Sequence, residues 1–380
     1  MTVLGDLVDI RTGKLDANAA VADGNYPFFT CAEKISYIDI YAFDADAIIV
    51  AGNGDLNVKH YKGKFNAYQR TYVITIPDET LIDSRYLFHW MSKYITKLRA
   101  MSIGGVIKYI KLGMLADATL PLPPLAEQKR IAAILDKADA LRRKREKAIQ
   151  LTDTLLKSVF LDMFGDPVTN PKGWETVSLS EHIQHSNNGL SRRRKTAENT
   201  GNIVLRLQDV RENEIDYTRC NRIMLDKSEE KRFALEKDDL LFVRVNGNRD
   251  YVGRCAVFSG FSEPVFHNDH LIRLRMGPNF DPYFLAYLFN LRAGRSLLSG
   301  SIKTSAGQHT ISQDGLKKIK FPAPSKKLQS KFKTFFKCLE KNKTILESQA
   351  QKNSTLFASL SQRAFRGELT AKDIDKIEAA

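Results

Sequence analysis

Two long stretches of the chain carry apolar residues at alternating spacings of three and four, which places them along one face of a helix. In the first stretch these positions are Ile131, Ile134, Ala138, Leu141, Ala148, Leu155 and Val159, interrupted by the polar Arg145 and Thr152. At a constant offset, the second stretch has Phe332, Phe335, Leu339, Asn342, Gln349, Leu356 and Leu360, with Leu346 and Asn353 opposite the two interruptions. This repeated seam predicts two long helices packed side by side, with polar positions that fix their register. The alternative is a pair of ordinary amphipathic core helices.

The flanks of the two stretches match as well. Each stretch begins after prolines, at LPLPP in residues 120–124 and FPAPS in residues 321–325, and each ends near a Phe and a Gly. Proline stops a strand and permits a helix start, and glycine suits a helix C-terminus. The segments ahead of the helices correspond more faintly, as residues 105–110 do with residues 306–311.

The repeat divides the chain into four parts and predicts an α+β fold. We expect mixed domains of short strands and a few helices at residues 1–122 and 166–323. We expect the long helices at residues 123–165 and, with a tail, at residues 324–380.

The charge of the chain indicates a polyanionic partner. Lys and Arg number 58 against 44 Asp and Glu, which gives a net charge of +14 over 380 residues. DNA or RNA is the partner that such an excess favours. The hydrophobic content of 43% is typical of a folded protein, and the length suffices for two domains with their own cores.

We expect a cytoplasmic protein without a membrane anchor. The opening sequence MTVLGD has no basic region followed by an apolar run, and the aliphatic stretch at residues 47–51 is too short to cross a bilayer. The scattered positions of the cysteines argue against a structural zinc site or a disulfide framework. They are Cys31, Cys220, Cys255 and Cys338.

The sequence LPLPPLAEQKRIAAILD at residues 120–136, followed by LDMFGD at residues 161–166, resembles the specificity subunits of type I restriction-modification enzymes. In that family a proline turn and an EQKRIA helix start follow each target-recognition domain. A weaker version recurs at residues 321–367, where KKLQ stands in place of LAEQ. The segment NPKGW at residues 170–174 resembles the family's entry into its second recognition domain. The resemblance covers essentially the whole chain.

The resemblance implies an architecture. Two target-recognition domains would lie in inverted orientation at the ends of an antiparallel coiled coil with pseudo-twofold symmetry. Each domain would read one half of a split double-stranded DNA target, and the helices would set the gap between the halves. A helix of roughly 38 residues spans ~57 Å, which covers on the order of 15 base pairs.

The resemblance also implies a division of labour. The chain itself would be non-catalytic and would bind no cofactor. Two modification subunits, which are adenine methyltransferases, would dock at residues 126–147 and 327–348, and restriction subunits would join them. S-adenosylmethionine, ATP and Mg²⁺ would be bound by these partners.

The sequence gives little indication of catalysis by the chain itself. It has no GxxxxGK[ST] phosphate loop, and GNGD at residues 52–55 is more typical of a turn than of a cofactor loop. The nearest approach to an adenine methyltransferase signature, NPKG at residues 170–173, lacks the second proline and the aromatic residue. Two histidine pairs have a spacing that could bind metal, but without a nearby Cys or an HExxH frame we interpret them as surface or hydrogen-bonded residues. The pairs are His182 with His185 and His267 with His270.

Other interpretations remain open. One is a stand-alone DNA-binding regulator built from duplicated reader domains. Another is a metal nuclease that uses Asp117, Glu127 and Lys129, although an acid at Glu127 also suits the first turn of a helix. The basic run RRKR at residues 142–145 is scattered around the helix axis, which favours a solvated or partner-docking face.

The DNA-binding candidates are Lys and Arg residues that could hold phosphates and forked side chains that could read bases. In the first domain they are Lys14, Asn53, Asn57, Lys59, His60, Arg70, Lys108 and Tyr109. In the second domain they are Arg192, Arg193, Arg194, Lys195, Arg244, Asn246, Asn248, Arg249, Lys303, Gln308 and His309. The segment from Arg244 to Arg249 is the strongest candidate, because its side chains suit base reading and Gly247 lets the backbone approach DNA closely.

Overall fold

The structure, a computed structural model, describes residues 1–191 and 200–369. The chain divides into two units, the first consisting of Met1–Ala148 and Leu346–Ala380 and the second of Ile149–Ile345. The first unit is therefore discontinuous in sequence, and the second is inserted into it.

The first unit contains short strands, two helices and part of each long helix. Its strands are β1 (Thr2–Val3), β2 (Asp9–Thr12), β3 (Tyr26–Phe29), β4 (Ser36–Ile38), β5 (Phe43–Ala51), β6 (Val58–Ala67), β7 (Thr71–Thr75) and β8 (Thr119–Leu120). Its helices are α1 (Ser84–Met101), α2 (Leu112–Ala116), the beginning of α3 (Leu125–Phe164) and the end of the second long helix, α8 (Lys326–Ala364). Six strands form one sheet in the order β2-β7-β5-β6-β3-β4, and β1 pairs with β8.

The central strand β5 is apolar on both faces because both faces of the sheet are covered. Ile48 and Val50 pack in the core that α1 completes with Tyr86 and Leu87. Ile49 lies in a separate apolar cluster on the other face of the sheet, with Phe29 and Phe65. This two-sided burial explains the uninterrupted aliphatic run in the sequence.

The second unit repeats the plan with more strands. Its strands are β9 (Thr176–Ser178), β10 (Ile183–Asn188), β11 (Asn202–Leu205), β12 (Asn221–Ile223), β13 (Leu240–Val243), β14 (Val245–Asn246), β15 (Cys255–Val257), β16 (Val265–His267), β17 (Leu271–Met276), β18 (Ile302–Ser305), β19 (Gln308–Ile311) and β20 (Lys320–Pro322). Its helices are the end of α3, α4 (Lys227–Phe233), α5 (Pro282–Asn290), α6 (Arg292–Ser299), α7 (Gln313–Lys317) and the beginning of α8 (Lys326–Ala364).

The described part of the second unit contains four sheets, and strand β13 in one of them corresponds to β5 of the first unit. They have the orders β10-β17-β13-β15, β12-β11-β16, β14-β19-β18 and β20-β9. Leu240 and Phe242 of β13 pack in the core with Phe284 of α5. Leu241 and Val243 lie in a second cluster. The mixed α+β fold with two long helices and a two-domain repeat is as predicted.

The two long helices run antiparallel within each unit. In the first unit the early residue Ile131 of α3 shares a core with the late residue Leu360 of α8. In the second unit the late residue Phe160 of α3 packs on the early residue Phe332 of α8, with ring centroids 5.1 Å apart. The antiparallel pairing predicted from the resemblance therefore holds in both units.

The apolar seam differs from the prediction in the second half of α3. The predicted seam residue Leu155 is 48% exposed. The buried residues are Leu156 and Phe160, each one residue beyond the predicted positions Leu155 and Val159. The reason is that this part of α3 also packs on helix α5, where the centroid of the Phe160 ring lies 5.0 Å from that of Tyr287. Contact with the aromatic side chains of α5 therefore shifts the buried face of α3 by one residue.

A fully buried glutamine joins the mixed α+β domain of each unit to a long helix. Gln128 accepts a hydrogen bond from Asp83 N at 2.9 Å and donates to Leu81 O at 2.9 Å and Pro123 O at 2.8 Å. Asp83 is itself the N-cap of α1, where it accepts from Tyr86 N. One side chain thus connects the start of α3, the proline turn and the start of α1.

The second unit contains the same junction. Gln329 accepts from Asp281 N at 2.8 Å and donates to Pro324 O at 2.8 Å and, at 3.5 Å, to Asn279 O. Asp281 is the N-cap of α5. Both glutamine side chains are buried and bind backbone groups of the domain and of the proline turn, so each links its domain to its own helix segment.

Candidate nucleic-acid interface

In the first unit, the backbone gathers several predicted DNA-binding residues at one edge of the sheet. The turn at residues 52–55, here called loop A, follows β5. Gly52 N donates to Arg70 O and Ile110 N donates to Gly52 O, both at 2.9 Å, and Gly54 N donates to Lys108 O at 2.9 Å. Asn53 and Tyr109 form an isolated β-bridge. Asn53, Arg70, Lys108 and Tyr109 are therefore neighbours.

The second unit has the same hydrogen bonds around residues 244–249, here called loop B, which follows β13. Arg244 N donates to His270 O at 2.8 Å, and Ile311 N donates to Arg244 O at 2.9 Å. Asn246 pairs with His309 across β14 and β19. Lys303 of β18 pairs with Thr310 of β19, and Ser305 pairs with Gln308 at the end of the same hairpin. The predicted residues of loop B and of residues 303–309 thus lie together.

Loop B is held in shape by its own side chains. Asn246 Oδ1 accepts from Asn248 N, and Asn248 Oδ1 accepts from Asp250 N, each at 2.9 Å. Arg244 donates to Asp269 O at 3.1 Å, and Arg249 donates to Ser299 O at 3.2 Å. A Cβ added at Gly247 would meet no atom within 4 Å, so space is open beside the turn. Such a turn presents polar groups in a fixed geometry without reorganisation.

Two predicted residues of the first domain, Asn57 and Lys59, are engaged within the protein. Asn57 donates to Cys31 O at 2.8 Å, and Lys59 donates to Ala32 O at 2.8 Å and to the Asn57 side chain. Burial lowers the pKa of Lys59, although Cys31 and Glu33 act in the opposite direction. These residues hold the segment after β3 against β6. Lys14, by contrast, is exposed beside the bridge between Leu15 and Tyr68.

His60 belongs to a polar network that the sequence did not reveal. Its Nε2 lies 2.6 Å from Asp46 Oδ1, and its Nδ1 lies 3.1 Å from Arg85. Arg85 also binds Asp136 of α3, which is 2.7 Å from His89 Nε2. The network connects the sheet to α1 and to the long helix.

Asp136 is the electrostatic centre of this network. Burial raises its pKa, but hydrogen bonds from His89 and Arg85 and the charges of both residues outweigh burial and lower the pKa to about 2. Asp136 also lines a cleft of about 720 Å³, whose other walls include Phe29, Tyr61, Phe88 and Arg143.

Other sequence features have structural partners. The basic run at residues 142–145 is partly neutralised, since Arg142 pairs with Asp139 at 2.7 Å and with Glu146 at 2.9 Å. Arg143 pairs with Asp139 at 2.6 Å. The predicted residues Arg192, Arg193, Arg194 and Lys195 lie outside the described residues.

The residues considered for metal chemistry are mostly engaged elsewhere. Glu127 binds Arg130 at 2.7 Å. His267 is buried, and its pKa is lowered to about 4 by burial, with a smaller effect from Arg273. Within residues 1–191 and 200–369, no group of three or more His, Cys, Asp or Glu side chains is arranged to hold a metal ion. None of the helices in that part of the chain is long and apolar enough to span a membrane.

Comparison with known proteins identifies the family. Residues 1–151 and 171–355 match the family model of the type I restriction modification DNA specificity domain. The type I restriction enzyme StySPI specificity subunit of Salmonella potsdam is 31% identical over 351 residues, which are 86% of this chain and 75% of that protein. The type I restriction enzyme EcoKI specificity subunit of Escherichia coli (strain K12) is 26% identical over 350 residues, with the same coverage of 86% and 75%.

A solved structure supports the fold. The S subunit of the type I restriction-modification system from M. genitalium superposes with a TM-score of 0.66 at 16% identity, covering 96% of this chain and 95% of that one. The family model matches both halves of the sequence, as the two proline-initiated helix starts predicted. The chain therefore belongs to the type I restriction-modification DNA specificity family.

Proposed function

We propose that this chain reads a split double-stranded DNA target, one half with each recognition domain. The observation that carries the proposal is the duplicated placement of loops A and B. Each follows the central apolar strand of its domain. Each is closed by the residue before the N-cap of α2 or α7, through the bonds of Ile110 to Gly52 and of Ile311 to Arg244. Polar side chains that suit base and phosphate recognition gather at both places.

The roles of the predicted residues follow from their surroundings. Side chains with forked amide or guanidinium groups, or an imidazole, on the two loops would read bases: Asn53, Arg244, Asn246, Gln308 and His309. Exposed cations and the neighbouring phenol would hold the DNA backbone: Lys14, Arg70, Lys108, Tyr109, Arg249 and Lys303. The basic run of residues 192–195 would add phosphate contacts. Asn57, Lys59, His60 and Asn248 would act indirectly, by fixing the segments on which the direct contacts lie.

We further propose that two modification subunits dock on the long helices, at residues 126–147 and 327–348. Both faces carry exposed lysines, including Lys129 and Lys144 on α3 and Lys327 and Lys337 on α8, which suit an acidic partner surface. Native mass spectrometry of the co-expressed complex tests this stoichiometry. A single modification subunit at saturating concentration would contradict it.

In this proposal the chain is not a catalyst and binds no cofactor of its own. Methyl transfer from S-adenosylmethionine and the ATP- and Mg²⁺-dependent steps belong to the modification and restriction subunits. The relatives support this division, because each is named as the specificity subunit of a larger restriction enzyme. Turnover by the highly purified chain, abolished by a point substitution within it, would overturn this part of the proposal.

The methylome of cells that carry the chain with its modification partner tests the DNA-reading proposal. We expect methylated adenines within one motif made of two constant halves and a fixed gap. Asn53→Ala should relax one half and Asn246→Ala the other, by roughly 1–3 kcal/mol if the contact is bidentate. Asn18→Ala, at an exposed position in the short 3-10 helix after β2, is the matched control and should leave the motif unchanged.

An undivided motif, or an effect of both variants on the same half, would refute the one-domain, one-half assignment. The stand-alone regulator interpretation is not favoured, because the family match covers both halves of the chain.

A further inference from the structure

The loop of residues 104–108, here called the apolar tip, presents aliphatic side chains to solvent. Val106 is fully exposed, and Ile107 is 62% exposed. The loop is closed by reciprocal backbone hydrogen bonds between Ile103 and Tyr109, at 3.0 and 2.8 Å. Gly104 has φ +111°, and a Cβ there would lie 2.6 Å from Ile107 O. The backbone geometry thus requires this glycine, and the tip has a defined shape.

Two adjacent branched aliphatic side chains at a loop tip form a small apolar patch, and contact with a partner would remove it from water. Their surroundings suit a polyanion. Lys108 and Lys111 are exposed next to the tip, and Arg70 is exposed beside loop A. Asp55, the acid on loop A, is paired with Arg99 at 3.3 Å.

The corresponding tip of the second domain is polar. There the β18–β19 hairpin turns through Ala306 and Gly307, with Ser305 pairing with Gln308. The fold therefore does not require an apolar tip at this place. The two domains therefore differ in the polarity of this tip, which lies beside loop A in the first domain and beside loop B in the second.

We infer that Val106 and Ile107 contact the C5 methyl group of a thymine in the half of the target read by the first domain. In the major groove a thymine is distinguished by this methyl group, and aliphatic side chains recognise it by apolar contact. Lys108 and Arg70 hold the flanking phosphates and bring the tip to the base edges. The inference rests on the proposed function, since it presupposes DNA reading by this domain.

Replacing thymine by uracil tests the inference, because uracil keeps the base-pairing groups and lacks only the methyl. Each thymine of the first half-site, on either strand, is replaced in turn, and binding of the full chain with its modification subunits is measured. One replacement weakens wild-type binding about fourfold, the effect of losing one buried methyl group. The double variant Val106→Ser, Ile107→Ser binds the thymine and uracil duplexes equally. Ile107→Leu, which keeps an aliphatic tip, retains the preference.

Val168→Ser is the matched control, because Val168 is 54% exposed but lies in the segment after α3. It should keep the full thymine preference. A first half-site without thymine, or a wild-type complex indifferent to every replacement, overturns the inference. Loss of modification-subunit binding by the double variant without DNA assigns the tip to a protein partner and also overturns it. If the wild-type complex does not prefer its motif over a scrambled duplex, the proposed function itself fails, which separates the two failures.

Discussion

The buried glutamines at the two domain–helix junctions allow a quantitative test of how each domain is seated. Gln128→Leu keeps the side-chain size approximately but removes three hydrogen bonds of 2.8–2.9 Å between a buried side chain and backbone groups. At about 1 kcal/mol each, the loss is about 3 kcal/mol. For Gln329→Leu we expect about 2 kcal/mol, because one of its three bonds is long, at 3.5 Å.

The two tryptophans report the units separately, since Trp90 lies in the first unit and Trp174 in the second. Urea unfolding is followed by fluorescence, with Trp174→Phe as background for the first unit and Trp90→Phe for the second. Gln128→Leu should lower the free energy of unfolding reported by Trp90, and Gln329→Leu that reported by Trp174. Gln351→Leu, at an exposed position of α8 in the first unit, should change neither by more than about 0.5 kcal/mol.

A Gln128→Glu variant separates hydrogen bonding from side-chain packing. An ionised carboxylate would face the carbonyls of Leu81 and Pro123, so its folded-state pKa should lie above the unfolded value of about 4.3. The destabilisation is then greatest above the folded pKa and shrinks as the pH falls below the unfolded value, to about the loss of one hydrogen bond, because a protonated carboxyl donates one bond where the amide donates two. Gln128→Leu should show no such relief relative to wild type. Equal stability of Gln128→Leu and wild type would refute the reasoning, because the three bonds would then contribute nothing.

Three further predictions follow from charge and helix geometry. Affinity for the target, measured by fluorescence anisotropy, should fall steeply with salt concentration through counterion release, and a salt-insensitive affinity would contradict DNA binding by the basic residues. Lys108→Ala should weaken binding to all duplexes alike, whereas Asn246→Ala should mainly reduce discrimination between target and non-target sequences. Because the pKa of Asp136 is lowered to about 2, its ionised form stabilises the fold above its unfolded value of 3.8, and this contribution is lost as the pH falls through 2. Asp136→Asn should therefore be less stable at neutral pH, and its difference from wild type in urea titrations should shrink between pH 4 and 2; a constant difference would argue against ionisation as the cause. The last prediction concerns the gap between the two halves of the target. If the helices set this gap, inserting four residues after both Ala148 and Ile345, where the two helices pass from one unit to the other, should lengthen the gap in the methylome by one or two base pairs. A folded, active double insertion that keeps the original gap would show that the helices do not set it.

The long helices were predictable because their signal is local and repeated. Ile131, Ile134 and Ala138 are buried as their spacing indicates. The shift from Leu155 to Leu156 was not predictable, because it results from contact with Phe284 and Tyr287, which lie far away in the sequence. The spacing of apolar residues indicates the average direction of the buried face along a helix, and packing against a neighbouring element can shift that face locally by one residue.

The grouping of the candidate residues could be predicted only in part. Asn53 and Arg244 follow apolar strands that the sequence indicates, and the structure pairs Asn53 with Tyr109 and Asn246 with His309, while their contacts with DNA stay a prediction. The engagement of Lys59 by Ala32 O could not be read from the sequence, because the acceptor is a backbone group in a different strand connection. The Asp136 network was missed because its members come from four elements, β5, β6, α1 and α3, and each has an ordinary helical or strand context.

The discontinuity of the first unit has a consequence for synthesis on the ribosome. Leu360 and Ala364 of α8 complete the core that contains Ile131 and Leu135 of α3, yet all of Ile149–Ile345 is translated between them. While that segment emerges, the apolar face at the start of α3 lacks its covering helix and is exposed to non-native association. The inserted second unit can complete its own core first. A chain released before Leu346 would therefore contain a complete second unit and a first unit that lacks the end of α8. We expect such fragments to aggregate.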